Sequence, residues 1–207
     1  MKKIRVHKGD ISKEAMAFYK DDIAVDTETL GLIPRRDRLC VVQLSPGNGS
    51  ADIIQIEKGQ TKAPNLLTLL GDESKTKLFH YGRFDIAILF HTFGVTCAPV
   101  FCTKIGSKLT RTYTDRHGLK DACRELLAVD LSKQQQSSDW AAHELSQAQL
   151  AYAASDVLHL HALREKMTEN LEREGRTAYA DECFKFLPTR AKLDLMGWEN
   201  TDIFAHS

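Results

Sequence analysis

The chain has 207 residues, of which 43% are hydrophobic and 27% are charged, with 28 basic and 28 acidic side chains. This composition is ordinary for a soluble globular protein, and the zero net charge argues against a broad basic face for long nucleic acids. Neither a secretory signal nor an apolar run of membrane-spanning length is found. We therefore expect a single domain over residues 1–207, located in the cytoplasm.

The first third of the chain predicts three β-strands. Ile23–Thr29 and Leu39–Ser45 are rich in apolar and β-branched residues, and the turn signal PGNGS separates the second strand from residues 51–56. These connections predict an antiparallel meander. The five cysteines are scattered and form no CxxC pair, which favours reduced, mostly buried thiols over a disulfide framework.

The middle of the chain alternates strands with helices. A short helix ends near Gly71, a strand covers residues 77–82, and a helix follows that Gly94 can stop. Residues 100–110 predict a passage from strand to helix, and another helix follows Gly118. Strands followed by strand–helix alternation indicate a mixed sheet flanked by helices.

Ser146 begins a long predicted helix. With Gln149 three residues later it forms a capping box. Its expected buried stripe consists of apolar residues at helical spacing, namely Leu150, Ala153, Val157, Leu160 and Met167.

Two acids on the first predicted strand suggest chemistry. Asp26 and Glu28 are two positions apart, so their side chains point to the same face of the sheet. Burying two like charges together is costly unless something neutralises them, and a divalent cation that prefers oxygen ligands would do so. The alternative is a strand end at which both acids face water.

Two later acids extend this pattern. Asp85 lies at or near the start of a helix, where an acid is also an ordinary cap. Tyr152 and Asp156 are four residues apart on the long helix and share a face. Taken alone, Asp156 would be a half-exposed helix acid.

The order of these residues, D-x-E, then D, then Y-x-x-x-D, resembles the tyrosine branch of the DEDD superfamily of 3′–5′ exonucleases. The segments SKQQQSSDW and LSQAQLAYAASDVLHL are similar to ribonuclease D, and the segments DTETLGL, FHYGRFDIAIL and GWENTDIFAHS resemble the bacterial nano-RNase C family. We expect the C-terminal helical nucleic-acid-binding domains of ribonuclease D to be absent.

The resemblance implies a ribonuclease-H-like exonuclease fold, an α/β fold with a mixed five-stranded sheet flanked by helices. It implies a 3′–5′ exoribonuclease that degrades short RNA, dinucleotides especially, and a ring-like homo-oligomer larger than a dimer. It also implies two Mg²⁺ or Mn²⁺ ions per site. The expected metal ligands are the four acids, Asp26, Glu28, Asp85 and Asp156. Tyr152 would orient the attacking water, because its ordinary pKa of about 10 makes it a poor base at neutral pH.

Substrate contacts are predicted from position and charge. Leu30 or Leu32 would press on a terminal base, with core packing as the alternative. The basic stretch 104–124 and the ribonuclease D-like loop supply the expected phosphate contacts, namely Lys104, Arg111, Lys133 and Gln136. His80 is expected to be structural, and Trp198 and Phe204 are expected in core or subunit contacts.

Two other functions remain open from the sequence. One is a general 3′–5′ exonuclease that acts on longer RNA or on DNA, because catalysis by two metal ions does not distinguish the sugars. The other is an inactive nuclease fold used as a binding module. The presence of all four acids and Tyr152 weighs against the inactive module.

Overall fold

The structure is a computed structural model that describes residues 3–132, 134–135 and 137–206. Its centre is one mixed sheet with the strand order β1-β4-β3-β2-β5-β6. The strands are β1 (Lys3–Lys8), β2 (Ile23–Thr29), β3 (Leu39–Ser45), β4 (Ser50–Gln55), β5 (Lys77–Phe79) and β6 (Val100–Cys102). The predicted antiparallel meander is confirmed, because β3 pairs antiparallel with both β2 and β4.

The sheet has six strands instead of the predicted five. The additional strand is β1, which pairs in parallel with β4 at one edge of the sheet. Its sequence, KIRVHK, mixes charged and apolar residues, and none of its side chains is fully buried. An edge strand whose side chains are exposed to solvent lacks the apolar run by which strands are recognised in a sequence.

Helices pack on the sheet; the first three lie between strands in the chain, and the others follow the last strand. They are α1 (Lys13–Met16), α2 (Pro64–Gly71), α3 (Gly82–Phe93), α4 (Thr103–Thr110), α5 (Leu119–Leu127), α6 (Gln147–Leu158), α7 (Leu160–Arg173) and α8 (Thr177–Leu193). A short π-helical turn over Asp194–Trp198 continues α8. None of the helices in the described part of the chain has the length and apolar character needed to cross a lipid bilayer.

The predicted capping box begins α6. The Ser146 hydroxyl accepts from the Gln149 backbone N–H at 3.2 Å, and the Gln149 side chain accepts from the Ser146 backbone N–H at 3.0 Å. The expected single helix is divided at His159, where φ is −108° and ψ is −3°. No glycine or proline marks this interruption. The predicted apolar stripe is nonetheless buried across both helices.

Lys77 is a charged residue inside the core. Its side chain on β5 is fully buried, and its ammonium group donates to the backbone carbonyls of Asp72, Lys75 and Ala98, each at 2.6 Å. An ammonium group has three N–H donors, so all of them are used, and the lysine fastens β5 to the preceding loop and to the chain before β6.

The predicted reduced cysteines are also found, since all five are free and only Cys183 is exposed.

Candidate active site

A cavity of about 790 Å³ opens where β2 ends. The strand supplies one part of its wall, the start of α3 and of α5 supply others, and α6 closes it from the side. All five predicted catalytic residues line this cavity, namely Asp26, Glu28, Asp85, Tyr152 and Asp156.

Three of the acids lie close together. Carboxylate oxygens of Asp26, Glu28 and Asp156 all lie within 4.8 Å of one another. The alternation of side chains along β2 brings Asp26 and Glu28 to one face, and α6, which packs against β2, adds Asp156. Half-buried carboxylates in this arrangement have the donor atoms and spacing that suit a hard divalent cation.

The fourth acid, Asp85, is held from the neighbouring helix. It lies in the first turn of α3 and is 4% exposed, and its Oδ1 accepts a hydrogen bond from the Thr27 hydroxyl at 2.6 Å. The tight turn before it requires glycine at position 82, since a Cβ atom there would lie 2.6 Å from the Cβ of Phe79. This turn brings the start of α3 to the end of β2.

Negative charge is unfavourable in this cavity, because its acids are buried and lie close to one another. Burial, followed by the neighbouring carboxylates, raises the pKa of Glu28 to about 9 and that of Asp26 well above its usual range. Burial also raises the pKa values of Asp85 and Asp156 to about 7. No lysine or arginine among the described residues forms an ion pair with these acids. A bound cation therefore fits this donor set, because it would supply the missing positive charge.

Tyr152 lies beside these acids on α6. Its ring packs against Trp140 with the ring centroids 6.0 Å apart. Burial, and then the nearby charges of Asp156 and Glu28, raise the pKa of its hydroxyl above the ordinary value. The group is therefore a hydrogen-bond donor at neutral pH, which the predicted orienting role requires.

The predicted substrate contacts have different placements. Leu30 and Leu32 are 54% and 84% exposed and line the cavity, and so does Lys104. Lys133 and Gln136 lie outside the described residues.

Arg111 does not support the predicted phosphate contact. It is 2% exposed, and its guanidinium forms a two-pronged ion pair with Glu125. It also donates to the Ser107 hydroxyl at 2.9 Å and to the Arg116 carbonyl at 2.7 Å. Because these groups use its donors and it does not line the cavity, Arg111 organises the chain before α5 instead of facing a substrate.

Several cavity residues were not singled out as contacts in the sequence. Lys120 and Tyr81 both line the cavity; Lys120 belongs to the basic stretch that was noticed, whereas no sequence signal marks Tyr81. His80 also lies in the wall, with its Nδ1 2.9 Å from the Thr103 hydroxyl. Burial lowers the pKa of His80 to about 3, so it is neutral and fits the expected structural role.

Comparison with known proteins adds independent findings. A protein-family model described as 3′-5′ exonuclease matches residues 6–172. Ribonuclease D from Gluconacetobacter diazotrophicus is 34% identical over 154 residues, a match that covers 74% of this chain and 39% of that protein. The chain thus spans less than half the length of this curated relative.

Two solved structures match over essentially their whole length. The structure of Brucella melitensis NrnC bound to pGG is 65% identical, has a TM-score of 0.97, and is matched over 100% of both chains. The structure of Brucella melitensis NrnC with bound Mg²⁺ is 64% identical, has a TM-score of 0.95, and is matched over 99% of this chain and 100% of that one.

Proposed function

The chain belongs to the 3′–5′ exonuclease family as a nuclease of the ribonuclease D type, and from this premise we propose that it hydrolyses short RNA oligonucleotides, dinucleotides especially, to nucleoside 5′-monophosphates. One observation carries the proposal. Carboxylate oxygens of Asp26, Glu28 and Asp156 lie within 4.8 Å of one another, with Asp85 in the same cavity and no basic partner among the described residues.

Divalent metal dependence is expected of such a site. The four acids, Asp26, Glu28, Asp85 and Asp156, would hold Mg²⁺ or Mn²⁺, and the number of acids suits two ions. The cations would stabilise the negative charge that develops on the scissile phosphate and on the departing oxygen. The bound Mg²⁺ of NrnC, 64% identical to this chain, supports this assignment.

The protein's own side chains orient the reacting groups. The Thr27 hydroxyl fixes one oxygen of Asp85, and the Gln43 amide donates to Asp26 at 3.4 Å. The Tyr152 hydroxyl is protonated at neutral pH, and its raised pKa keeps it so in more alkaline solution, so it would donate a hydrogen bond that orients the attacking water. These neutral donors supply no positive charge to the acids, so that charge would come from bound cations.

The proposal of a short RNA substrate rests on the similar protein NrnC and on the chemistry of the cavity rim. NrnC has been seen bound to pGG, which in standard notation is a guanine dinucleotide with a 5′ phosphate. In this chain the rim offers the exposed Leu30 and Leu32 for a base and the cations Lys104 and Lys120 for phosphate. Two lysines match a substrate with few phosphates better than a long strand.

We also propose that the chain assembles into a closed homo-oligomer larger than a dimer. The C-terminal segment carries exposed apolar side chains that a second copy would cover, namely Met196, Trp198, Ile203 and Phe204. Light scattering at micromolar concentration tests this directly, and a monomer mass would refute it.

The function is tested by a time course on 5′-labelled RNAs of two to ten nucleotides, with a matched DNA series. We expect Mg²⁺-dependent loss of nucleotides from the 3′ end, with the dinucleotide cut fastest and RNA cut in preference to DNA. Equal rates on ten-nucleotide RNA or DNA would instead favour a general 3′–5′ exonuclease. No cleavage of any substrate in Mg²⁺ or Mn²⁺ would favour the inactive binding module.

A further inference from the structure

Tyr81 has an unusual backbone conformation at the edge of the cavity. It stands between β5 and α3 with φ of 70° and ψ of 38°, the left-handed region. A tyrosine in this region is energetically unfavourable. Burial of the ring does not compensate for this cost, because Tyr81 is 48% exposed. Strained residues of this kind are concentrated at functional sites.

The Tyr81 ring holds a cation in place. The Lys104 ammonium group lies 4.2 Å from the centroid of the ring, which is a cation–π distance. Lys104 forms no ion pair within the described part of the chain, although four acids line the same cavity. The lysine thus contacts the ring and not a carboxylate, and its charge is available for an anion.

Lys104 covers one face of the ring, and Tyr81, which lines the cavity, is still 48% exposed. An exposed aromatic face beside a cation suits a nucleotide, because bases stack on aromatic rings regardless of their identity and the cation binds phosphate. Building on the proposed function, we propose that Tyr81 stacks on a base of the substrate and that Lys104 binds the phosphate of the same nucleotide.

The test combines removal of the ring with removal of a base. Tyr81→Asn deletes the ring while asparagine tolerates the left-handed backbone, and Tyr81→Phe keeps the ring. The substrates are pAA and two analogues in which one or the other adenine is absent. Cleavage is measured as kcat and KM in Mg²⁺, and dissociation constants are measured in the Glu28→Gln background, so that the test does not depend on turnover.

We expect loss of one particular base to weaken binding by the unmodified protein by about 5- to 150-fold, the range for stacking on one aromatic side chain. Tyr81→Asn should bind intact pAA weakly and lose little more when that base is removed, with KM affected more than kcat. Tyr81→Phe should behave like the unmodified protein. The matched control is Tyr179→Ala, which alters an exposed tyrosine on α8 and should change nothing.

The proposal is overturned if, at both positions, base removal weakens binding equally in the unmodified protein and in Tyr81→Asn. Failure of the proposed function gives a different result, namely no cleavage of intact pAA by the unmodified protein. The binding comparison still decides the role of Tyr81 in that case.

Discussion

Buried carboxylates lie at two places, within the sheet on β4 and in the cavity at the end of β2, and their surroundings differ. Asp52 on β4 is fully buried and accepts hydrogen bonds from Arg5, His7 and Tyr19 at 2.6–2.7 Å. Burial alone would raise the pKa of Asp52, but these donors hold it at about 2. The chain therefore supplies the charge partner of this anion.

Among the described residues, only neutral groups donate hydrogen bonds to the acids of the cavity. Thr27 donates to Asp85 and Gln43 donates to Asp26, while the pKa values of the acids rise. A structural carboxylate can therefore be separated from a functional one in this fold by its charge partner. The former is neutralised by its own chain, whereas the latter depends on charge from solution.

Removing one acid of the cavity should give the largest effect. Asp26→Asn, Glu28→Gln, Asp85→Asn and Asp156→Asn should each reduce hydrolysis on the order of 10³-fold, because each removes charge that stabilises the transition state through the bound cation. Rates are measured on a labelled RNA dinucleotide, and circular dichroism checks the fold. Near-normal turnover in any two of these variants would contradict the metal-site assignment.

Asp52→Asn should reduce stability and leave activity unchanged, the opposite of the cavity variants. It leaves the Arg5 guanidinium without its charge partner, so the free energy of unfolding should fall by roughly 3 kcal/mol. Urea unfolding measures this change, while kcat of the folded enzyme should remain unaltered. If stability stayed the same and cleavage were lost, the two carboxylate groups would not differ in the way proposed.

The stability of the metal-free protein should depend on pH in the direction set by the cavity acids. A carboxyl whose pKa is raised by folding stabilises the protein below its unfolded pKa, and that contribution disappears as pH rises through the folded value. Asp85 and Asp156 have pKa values of about 7, and Glu28 of about 9. The metal-free protein should therefore lose stability between pH 7 and 8.5, above the ordinary titration range of histidine.

Urea unfolding in EDTA at these two pH values measures the loss, and excess Mg²⁺ should reverse it at pH 8.5. Glu28→Gln is the matched control and should show a shallower dependence. Asp52 contributes nothing in this range, since its contribution is lost only as pH falls towards 2. A metal-free protein that becomes more stable from pH 7 to 8.5 would be inconsistent with repulsion among the cavity acids.

Tyr152→Phe tests the effect of a neutral hydrogen-bond donor separately from that of the charged acids. It removes one hydrogen bond and leaves all four acids, so turnover should fall about 10-fold, the value of a hydrogen bond of about 1.4 kcal/mol, while Mg²⁺ affinity is unchanged. Titration calorimetry of Mg²⁺ and single-turnover rates measure the two quantities separately. Unchanged turnover would remove Tyr152 from the mechanism.

Lys104→Met should give the smallest effect. The lysine is not paired with the acids, so its loss should reduce the advantage of a 5′-phosphorylated dinucleotide over the unphosphorylated one by roughly fivefold at most, as for other exposed charge pairs. Lys108→Met, one turn further along α4 and outside the cavity lining, is the control. An equal reduction in both variants would indicate a general charge effect.

The sequence predicted those features that depend on near neighbours in the chain. Asp26 and Glu28 share a face because strands alternate, and Ser146 with Gln149 begins α6 because capping is local. Asp85 and Asp156 required more than periodicity, since each alone is an ordinary helix acid. Only the combined order of the acids and the resemblance that it carries assigned them to one site.

Features that depend on distant partners were not predictable in this way. Arg111 is a reasonable phosphate contact in a basic stretch, and its pairing with Glu125 appears only when the intervening chain folds back. Tyr81 has no distinguishing neighbour in the sequence, and its importance arises from a positive φ and from Lys104 above its ring. The strand β1 was missed because its charged residues interrupt any apolar run, and its place in the sheet appears only from its pairing with β4.

Acylation of Lys77 can report the local opening of this protein. Its amine is fully buried and saturated by three carbonyls, so acylating reagents have access to it only when the loop before β5 separates from the chain before β6. The same strand leads within a few residues to Asp85. Mass spectrometry gives the labelling rate of Lys77 relative to that of the exposed Lys185. This ratio therefore measures how often the chain beneath the catalytic cavity opens locally.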